Sequence, residues 1–268
     1  MRARKHLGQN WLADPRYADR IVEAVDPLST DLVLEIGPGP GALTDRLVPR
    51  ASHTIAIELD PRMREPLEAR HERDRLTVIE ADVLETDLTE LVANARAAHP
   101  TVERVRVAAN LPYYISSAVL VHLIEHRSAF FDATLMLQKE VVERLVAPPG
   151  GKDYGSLTVF VAMYAEARRL FDVPPGAFRP APKVTSSVIA LRFRDRPAEE
   201  VPDESAFNRI VRAAFAQRRK TLGNCLAARG FAGLAERAGI DPRRRAETLA
   251  LAEFAALARA RAAEAGPM

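Results

Sequence analysis

The residues Asn110, Leu111, Pro112 and Tyr113 follow an apolar run, and their types could activate an exocyclic amine for alkylation. The amino nitrogen of adenine is a poor nucleophile because its lone pair is delocalised into the ring. An Asn oxygen and a main-chain carbonyl can each accept one of its N–H bonds, which aims the lone pair at an electrophilic carbon. Pro112 removes a competing N–H donor, and Tyr113 offers a stacking face worth roughly 1–3 kcal/mol. Taken alone, such a stretch is more often a turn with a self-satisfied Asn.

A glycine-rich loop lies earlier in the chain, in LEIGPGPGALT (34–44). Gly37, Gly39 and Gly41 follow a predicted strand and precede a predicted helix, where glycines let backbone N–H groups approach a ligand closely. Glu58 ends the next predicted strand, 21 residues after Gly37. A carboxylate at that position can accept hydrogen bonds from both hydroxyls of a ribose. This order of residues predicts a cofactor that contains a nucleoside.

Two cofactors fit this loop, NAD and S-adenosylmethionine. Gly37, Gly39 and Ala42 satisfy the dinucleotide fingerprint, so the loop alone leaves NAD open. Asp82 closes the third predicted strand, where a carboxylate can bind an adenine amino group, although a lone Asp there is often a helix cap. A dehydrogenase has no use for residues 110–113. We therefore predict S-adenosylmethionine as the cofactor and residues 110–113 as the catalytic loop.

The first two thirds of the chain alternate short apolar strands with helical segments, which is typical of a parallel sheet covered on both faces. The predicted strands are residues 32–37, 54–59, 76–81, 104–110, 133–138, 167–173 and 183–193. The pattern predicts an α/β catalytic domain over residues 1–193.

The last third is different in composition. Residues 194–204 are polar and contain proline, which predicts a linker, and residues 205–268 have purely helical periodicity. Ten Arg or Lys against two acids lie between Phe207 and Arg245. We predict that this helical domain binds a polyanion, because its basic residues are clustered. The cluster within a predicted helix is Arg218, Arg219 and Lys220.

The composition narrows the function classes. With 47% hydrophobic and 28% charged residues among 268, the chain resembles a globular enzyme rather than a disordered one. One cysteine excludes an internal disulfide and suits a reducing cytosol. The most apolar run, residues 157–165, is too short to cross a bilayer, and no apolar segment follows the basic start as in a signal peptide. We expect a cytoplasmic protein without a membrane partner.

Eight stretches resemble the ribosomal RNA adenine N6-dimethyltransferase family, and most closely its housekeeping small-subunit branch. They follow one another in order over nearly the whole chain. They are KHLGQNWL (5–12), LEIGPGPGALT (34–44), IELD (57–60), EAD (80–82), NLPYYIS (110–116), MLQKEV (136–141), FRPAPKV (178–184) and RRKTLGN (218–224). The resemblance implies a Rossmann-like, class I S-adenosylmethionine-dependent methyltransferase domain with a mostly parallel seven-stranded sheet, followed by a small all-α RNA-binding domain.

The resemblance also implies roles for individual residues. Asn110 would lie between the cofactor and the target base, and Phe178 would stack on the flipped adenosine opposite Tyr113. The expected cofactor-binding residues are Asn10, Leu12, Gly37, Gly39, Glu58, Asp82, Val83 and Asn110.

The family's small-subunit branch adds two methyl groups to each of two adjacent adenosines in a hairpin loop near the 3′ end of 16S rRNA. The resemblance therefore implies the small ribosomal subunit as partner and a role in its biogenesis, and we expect a monomer. Two alternatives stay open. One is a resistance enzyme that methylates an adenosine of large-subunit (23S) rRNA. The other is a non-catalytic RNA-binding assembly factor, which the intact Asn110, Glu58 and Asp82 disfavour.

Two positions depart from the family pattern. Trp11 stands where the family usually has Phe, and Tyr114 stands where many members have Asn. A separate stretch, HLIEH (122–126), matches a zinc-peptidase pattern. No third ligand accompanies it, so we predict no metal site and interpret the histidines as a helix surface.

Overall fold

The computed structural model describes residue 4 and residues 8–265, so Lys5, His6 and Leu7 of the first matching stretch lie outside the described residues. The chain forms two compact units. The first unit contains residues 1–142 and 167–193, and the second contains residues 143–166 and 194–268. The predicted division after residue 193 differs from this one in residues 143–166.

The secondary structure alternates strands and helices through the first unit. The strands are β1 (Trp11–Leu12), β2 (Asp31–Ile36), β3 (His53–Glu58), β4 (Leu76–Glu80), β5 (Arg104–Asn110), β6 (Asp132–Gln138), β7 (Ala165–Val173), β8 (Phe178–Arg179) and β9 (Ser186–Phe193). The α-helices are α1 (Pro15–Val25), α2 (Thr44–Leu47), α3 (Arg64–Glu68), α4 (Leu88–Ala98), α5 (Ser116–Glu125), α6 (Lys139–Leu145), α7 (Ser156–Tyr164), α8 (Glu204–Ala214), α9 (Leu222–Ala227), α10 (Leu234–Arg237) and α11 (Leu251–Ala265). Short 3-10 turns cover Pro61–Met63, Arg127–Ala129, Pro175–Ala177 and Ala246–Thr248.

Seven strands form one sheet in the order β4-β3-β2-β5-β6-β9-β7. The first five strands of this order are parallel to one another, and β9 runs antiparallel to β6. The chain moves outward from β2 to β4 on one side and then continues from β5 on the other side. The carboxyl ends of β2 and β5 therefore lie next to each other at a topological switch point, where open α/β sheets bind their ligands.

The central strands are buried because both faces of the sheet are covered. Every residue of β2 and β3 is buried, which explains why neither strand shows the alternation of apolar and polar residues that is typical of a half-exposed strand. The edge strand β4 alternates buried and exposed positions. Helix α1 packs Ile21 and Val22 into the core that also contains Val33 and Ala108 of the neighbouring strands.

A second, two-stranded sheet joins two distant segments. β1 pairs antiparallel with β8, so that Leu12 lies opposite Phe178 and Trp11 lies opposite Arg179. The backbone N–H of Ala13 donates to the carbonyl of Ala177 at 2.8 Å and extends this pairing. The pairing fixes the N-terminal segment at the same end of the sheet as the loop before β9.

A buried ion network closes the opposite end of the parallel strands. Arg106 Nε donates to Asp31 Oδ2 at 2.7 Å, and Arg106 Nη1 donates to Asp132 Oδ2 at 2.5 Å. Asp31 is fully buried, and Arg106 is 8% exposed. Burial raises the pKa of Asp132 to about 6, against the lowering effect of the Arg106 charge. The network joins β2, β5 and β6 and stabilises the sheet far from the carboxyl ends.

The second unit is helical, and it includes the apolar helix α7. Six of the nine residues of α7 are buried, and this helix contacts α8 and α11. Residues 194–204 are tied to it, because Arg194 N–H donates to the Tyr164 carbonyl and Ala198 N–H donates to the Met163 carbonyl. These long-range contacts, which local periodicity does not report, explain why residues 143–166 belong to the second unit.

The predicted helix through Arg218, Arg219 and Lys220 is not formed. Helix α8 ends at Ala214, and the three residues lie in the turn before α9, all of them exposed. Arg and Lys favour helices, but Leu222 N–H donates to the Arg244 carbonyl at 2.7 Å and fixes a break before α9. In residues 8–265, no helix combines the length and the apolar character that a membrane span requires.

Candidate active site

A cleft opens outside the carboxyl ends of β2, β3, β4 and β5. It contains about 1000 Å³ of space not filled by atoms, including open solvent at its mouth. Its walls contain twelve of the residues that were identified from the sequence. They are Asn10, Leu12, Gly37, Gly39, Glu58, Asp82, Val83, Asn110, Leu111, Pro112, Tyr113 and Phe178. The structure therefore brings the glycine loop, the two carboxylates and the predicted catalytic loop to one site, while their individual roles stay predictions.

The glycine loop follows β2 with an unusual backbone. Gly37 and Gly39 have φ angles of +68° and +53°, a region that L-residues with a side chain rarely adopt. A Cβ atom on Gly39 would lie 3.1 Å from Cδ1 of Trp11. The loop is thus held directly against the Trp11 indole, and its backbone is left open toward the cleft.

Glu58 is held rigidly at the end of β3. Its Oε2 accepts the Gly39 N–H at 2.9 Å, and its Oε1 accepts the Asp60 N–H at 2.8 Å. Burial raises the pKa of Glu58, and these two backbone N–H groups oppose that rise. Each oxygen still has a lone pair, so the carboxylate can accept hydrogen bonds from two further donors.

Asp60 is in turn fixed by its own partners. Arg62 forms an ion pair with it at 2.5 Å, and Gln9 Nε2 donates to it at 3.0 Å. The Arg62 side chain is the main cause that lowers the pKa of Asp60. Since Gln9 belongs to the segment before β1, this contact holds the N-terminal segment beside the cleft.

Asp82 and Val83 follow the end of β4. Asp82 Oδ1 accepts the Leu84 N–H at 2.9 Å, so the helix-cap type of contact considered from the sequence is present. Asp82 Oδ2 and the backbone N–H of Val83 make no hydrogen bond within residues 8–265. A carboxylate acceptor and a neighbouring N–H donor are thus both available to a ligand in the cleft.

Asn110 ends β5 at the centre of the cleft. Its Nδ2 donates to the Asn10 carbonyl at 3.2 Å, and its Oδ1 accepts no hydrogen bond within residues 8–265. The Pro112 carbonyl accepts the Ile115 N–H, whereas the Leu111 carbonyl has no donor among the described residues. The loop therefore presents two acceptors, Asn110 Oδ1 and the Leu111 carbonyl.

Two aromatic residues flank this loop. The hydroxyl of Tyr113 lies 2.8 Å from Oγ of Ser186, which is completely buried, and burial raises the pKa of Tyr113. Phe178 lines the cleft but is only 1% exposed, because it also packs in the core with Leu12 and Val188. The Tyr113 ring is half-buried at the site. Phe178 is more deeply buried than a residue that only offers a face for stacking.

Sequence reasoning missed several residues of the cleft. Glu35 lies on β2, is 1% exposed, and has an Oε2 without a hydrogen-bond partner. Burial raises the pKa of Glu35 to about 8, so it is mainly protonated at neutral pH. Leu59 and Tyr114 line the cleft with exposed side chains, although Tyr114 was noted from the sequence only as a departure from the family pattern. Their positions directly after Glu58 and Tyr113 were the available signal.

Some singled-out residues lie elsewhere. Arg218, Arg219 and Lys220 belong to the second unit. His122 Nε2 lies 2.9 Å from the Thr86 carbonyl, so this ring contributes to packing beside α4. Over the part of the chain that the structure describes, no group of three or more His, Cys, Asp or Glu is placed to hold a metal ion.

The family model for ribosomal RNA adenine dimethylase matches residues 1–262. The chain belongs to this family. It is 46% identical to the ribosomal RNA small subunit methyltransferase A of Geobacter metallireducens, over 97% of this chain and 96% of the relative. It is also 46% identical to the protein of the same name from Aromatoleum aromaticum, over 96% of this chain and 93% of the relative.

Solved structures agree with this membership. A dimethyladenosine transferase from Plasmodium falciparum has a TM-score of 0.76 and 27% identity, with 92% of this chain and 95% of that chain covered. The 23S rRNA methyltransferase ErmE has a TM-score of 0.68 and 25% identity, with 94% and 99% covered. The predicted Rossmann-like α/β fold of a ribosomal RNA adenine methyltransferase is confirmed.

Proposed function

We propose that this enzyme uses S-adenosylmethionine to dimethylate N6 of two adjacent adenosines near the 3′ end of small-subunit (16S) rRNA. The observation that carries the proposal is the single cleft in which Glu58, Asp82 and the two free acceptors of residues 110–111 meet. The two relatives at 46% identity, both named small subunit methyltransferase A, support the choice of subunit.

The residues of the cleft fit a nucleoside cofactor. Glu58 has two fixed oxygens that can accept hydrogen bonds from the ribose hydroxyls. Asp82 can accept a hydrogen bond from the adenine amino group, while the Val83 N–H donates to a ring nitrogen of the adenine. At Gly37 and Gly39 the loop lets its backbone approach the remainder of the cofactor closely. S-adenosylmethionine supplies an electrophilic methyl group on its sulfonium.

The first strand segment completes the cofactor site. Asn10 and Leu12 line the cleft, and the Asn10 carbonyl accepts a hydrogen bond from Asn110. Pairing of β1 with β8 fixes this segment. We assign both residues to cofactor binding, as the family resemblance implies.

Asn110 and Leu111 position the target amine. The Asn110 amide is oriented by its bond to Asn10, so Oδ1 can accept one N–H of the adenine amino group while the Leu111 carbonyl accepts the other. These two bonds draw the nitrogen toward tetrahedral geometry and direct its lone pair at the methyl carbon. Catalysis then consists mainly of positioning and exclusion of water, because the leaving group is neutral and the proton departs after transfer.

Tyr113, Pro112 and Phe178 hold the base itself. The Tyr113 ring is fixed by the Ser186 hydroxyl and stacks on the extracted adenine, with Pro112 stiffening the turn. Phe178 forms the opposite wall, and because it is buried it contacts the base edge that enters most deeply. A hairpin loop suits such a pocket because its bases are already splayed from the helix.

The exposed turn of the second unit supplies phosphate contacts. Arg218 donates to the Lys152 carbonyl, and Arg219 and Lys220 carry no ion pair among the described residues. We assign this turn to RNA binding. Neutralising all three residues should weaken subunit binding and lower its salt dependence, since each lost phosphate contact reduces the slope by about one.

The enzyme acts as a monomer in the cytoplasm, where its ribosomal substrate is found. Large exposed apolar side chains in residues 8–265 are few, and two of them, Leu59 and Tyr114, belong to the cleft. No extended apolar face is therefore present on the described chain to support a stable dimer.

A second candidate is methylation of large-subunit RNA, which the similarity to ErmE favours. A transfer assay with labelled S-adenosylmethionine separates the two when unmethylated small and large subunits are offered separately. We expect label on small subunits alone, loss of label with Asn110→Ala, and no loss with Asn94→Ala, an exposed Asn on α4. Label on large subunits would establish the second candidate, and full activity of Asn110→Ala would remove that residue from the mechanism.

A further inference from the structure

Tyr114 is an exposed aromatic residue at the mouth of the cleft. It lines the cleft together with Tyr113, yet 61% of its surface is exposed, the highest value among the large apolar residues of the described chain. Its hydroxyl makes no hydrogen bond within residues 8–265. Core packing therefore does not explain this ring, and an exposed aromatic beside a ligand site indicates contact with a ligand.

The Tyr114 ring lies against the N-terminal segment. A Cβ atom on Gly8 would be 2.9 Å from Cδ1 and 3.0 Å from Cε1 of Tyr114. Gly8 has a φ angle of +60°, which favours glycine, and a side chain at this position would displace the Tyr114 ring. This contact covers part of the ring, and 61% of the residue stays exposed.

We propose that the exposed ring of Tyr114 stacks on the nucleobase next to the adenosine that occupies the pocket. Tyr113 and Tyr114 are consecutive, but the Ser186 hydroxyl holds the Tyr113 ring half-buried, whereas Tyr114 faces outward. Two neighbouring bases of one strand then meet two neighbouring rings, one inside the cleft and one at its mouth.

This inference rests on the proposed function and deepens it. In a substrate with two adjacent adenosines, the other adenosine is one of the two neighbours of each target base. Because the strand has a fixed direction in the site, Tyr114 would meet this purine when one of the two adenosines occupies the pocket. Tyr114 would then select for a purine beside the target. We assign it to the RNA site as a specificity residue, and not to the cofactor site.

The test compares Tyr114→Leu with Tyr114→Phe in the full-length enzyme. Leu keeps apolar bulk against Gly8 but removes the stacking face, and Phe keeps the face while removing the hydroxyl. Three quantities are measured: KM for unmethylated small subunits, Kd for S-adenosylmethionine, and the dependence of the subunit KM on salt.

We expect Tyr114→Leu to raise the subunit KM roughly five- to tenfold. This factor lies in the lower part of the range that base stacking contributes to affinity, because the ring is partly in solvent. The cofactor Kd and the salt slope should not change, and Tyr114→Phe should restore the subunit KM.

Three results would overturn the inference. A weaker cofactor Kd with an unchanged subunit KM would show that Tyr114 only holds the N-terminal segment at Gly8. A changed salt slope, or a defect shared by Tyr114→Phe, would indicate a contact of the hydroxyl with the RNA backbone. An unchanged subunit KM in both variants would exclude any RNA contact. Wild-type enzyme inactive on small subunits would instead refute the proposed function, and the inference with it.

Discussion

Replacing Glu58 with Gln tests the cofactor site at its best-defined group. Both carboxylate oxygens accept a backbone N–H, from Gly39 at 2.9 Å and from Asp60 at 2.8 Å, and the residue is 8% exposed. A Gln side chain has one oxygen, so its NH₂ group must face one of these N–H donors. That donor loses its acceptor in a buried place, which costs about 1–3 kcal/mol of folding stability.

The effect on the cofactor is a separate quantity. A hydrogen bond to a charged acceptor contributes about 1.5–3 kcal/mol, and the variant loses the charge and the acceptor geometry for the ribose. We therefore expect the Kd for S-adenosylmethionine to rise roughly 10- to 150-fold in Glu58→Gln. Isothermal titration calorimetry measures this Kd, and urea unfolding measures the free energy of unfolding.

Glu80→Gln is the matched control. Glu80 is the register partner of Glu58 on β4, it is exposed, and it does not line the cleft. It therefore loses the same charge at the same edge of the sheet. A cofactor Kd unchanged in Glu58→Gln, or raised equally in Glu80→Gln, would refute the role of Glu58 at the ribose.

The pH dependence adds a further check on Glu58. Burial raises the pKa of this carboxyl in the folded protein, and only the carboxylate accepts both ribose hydroxyls. Cofactor affinity should thus fall as the pH is lowered through the raised pKa, at a higher pH than for an exposed Glu. Glu58→Gln should lack this fall, and an identical pH profile in both proteins would contradict the assignment.

Three further predictions follow from buried groups. The pKa of Glu35 is raised to about 8. The stability that the neutral Glu35 side chain contributes is therefore fully present below about pH 4.5 and is lost as the pH rises to about 8. Glu35→Gln should flatten the free energy of unfolding over this pH range, and a pH dependence unchanged from wild type would count against a buried neutral acid. Arg106→Leu should cost about 3–5 kcal/mol in urea unfolding because it leaves buried Asp31 without its cation, whereas a loss below about 1 kcal/mol, typical of an exposed pair, would contradict the network. Ser186→Ala should lower kcat more than it weakens cofactor binding, because it frees the Tyr113 ring; a change in cofactor Kd alone would disprove that positioning role.

Much of the site was predictable because strand ends of a parallel sheet converge. The sequence patterns predicted β2, β3, β4 and β5 within one residue at each end; the differences include Gly37, Leu59 and Ala81, which were added to the strands that they follow. Once those strands are parallel, Glu58 and Asn110 must lie at one edge. Local residue order therefore sufficed to predict the cleft.

The parts that sequence patterns did not predict depend on contacts between distant segments. The buried position of Phe178 follows from the pairing of β8 with β1, more than 160 residues apart in sequence. The turn at Arg218 depends on the bond between Leu222 and Arg244. Similarly, the helix α7 is apolar enough for either unit, and only its contacts with α8 and α11 place it in the second.

The most direct test of the proposed function is nucleoside mass analysis of small-subunit RNA after reaction with the wild-type enzyme. Unmethylated small subunits are incubated with S-adenosylmethionine, and the RNA is digested to fragments and nucleosides. We predict N6,N6-dimethyladenosine at two adjacent positions of one hairpin loop near the 3′ end, and none with Asn110→Ala. Methylation of a single adenosine, of another position, or of large-subunit RNA instead would contradict it.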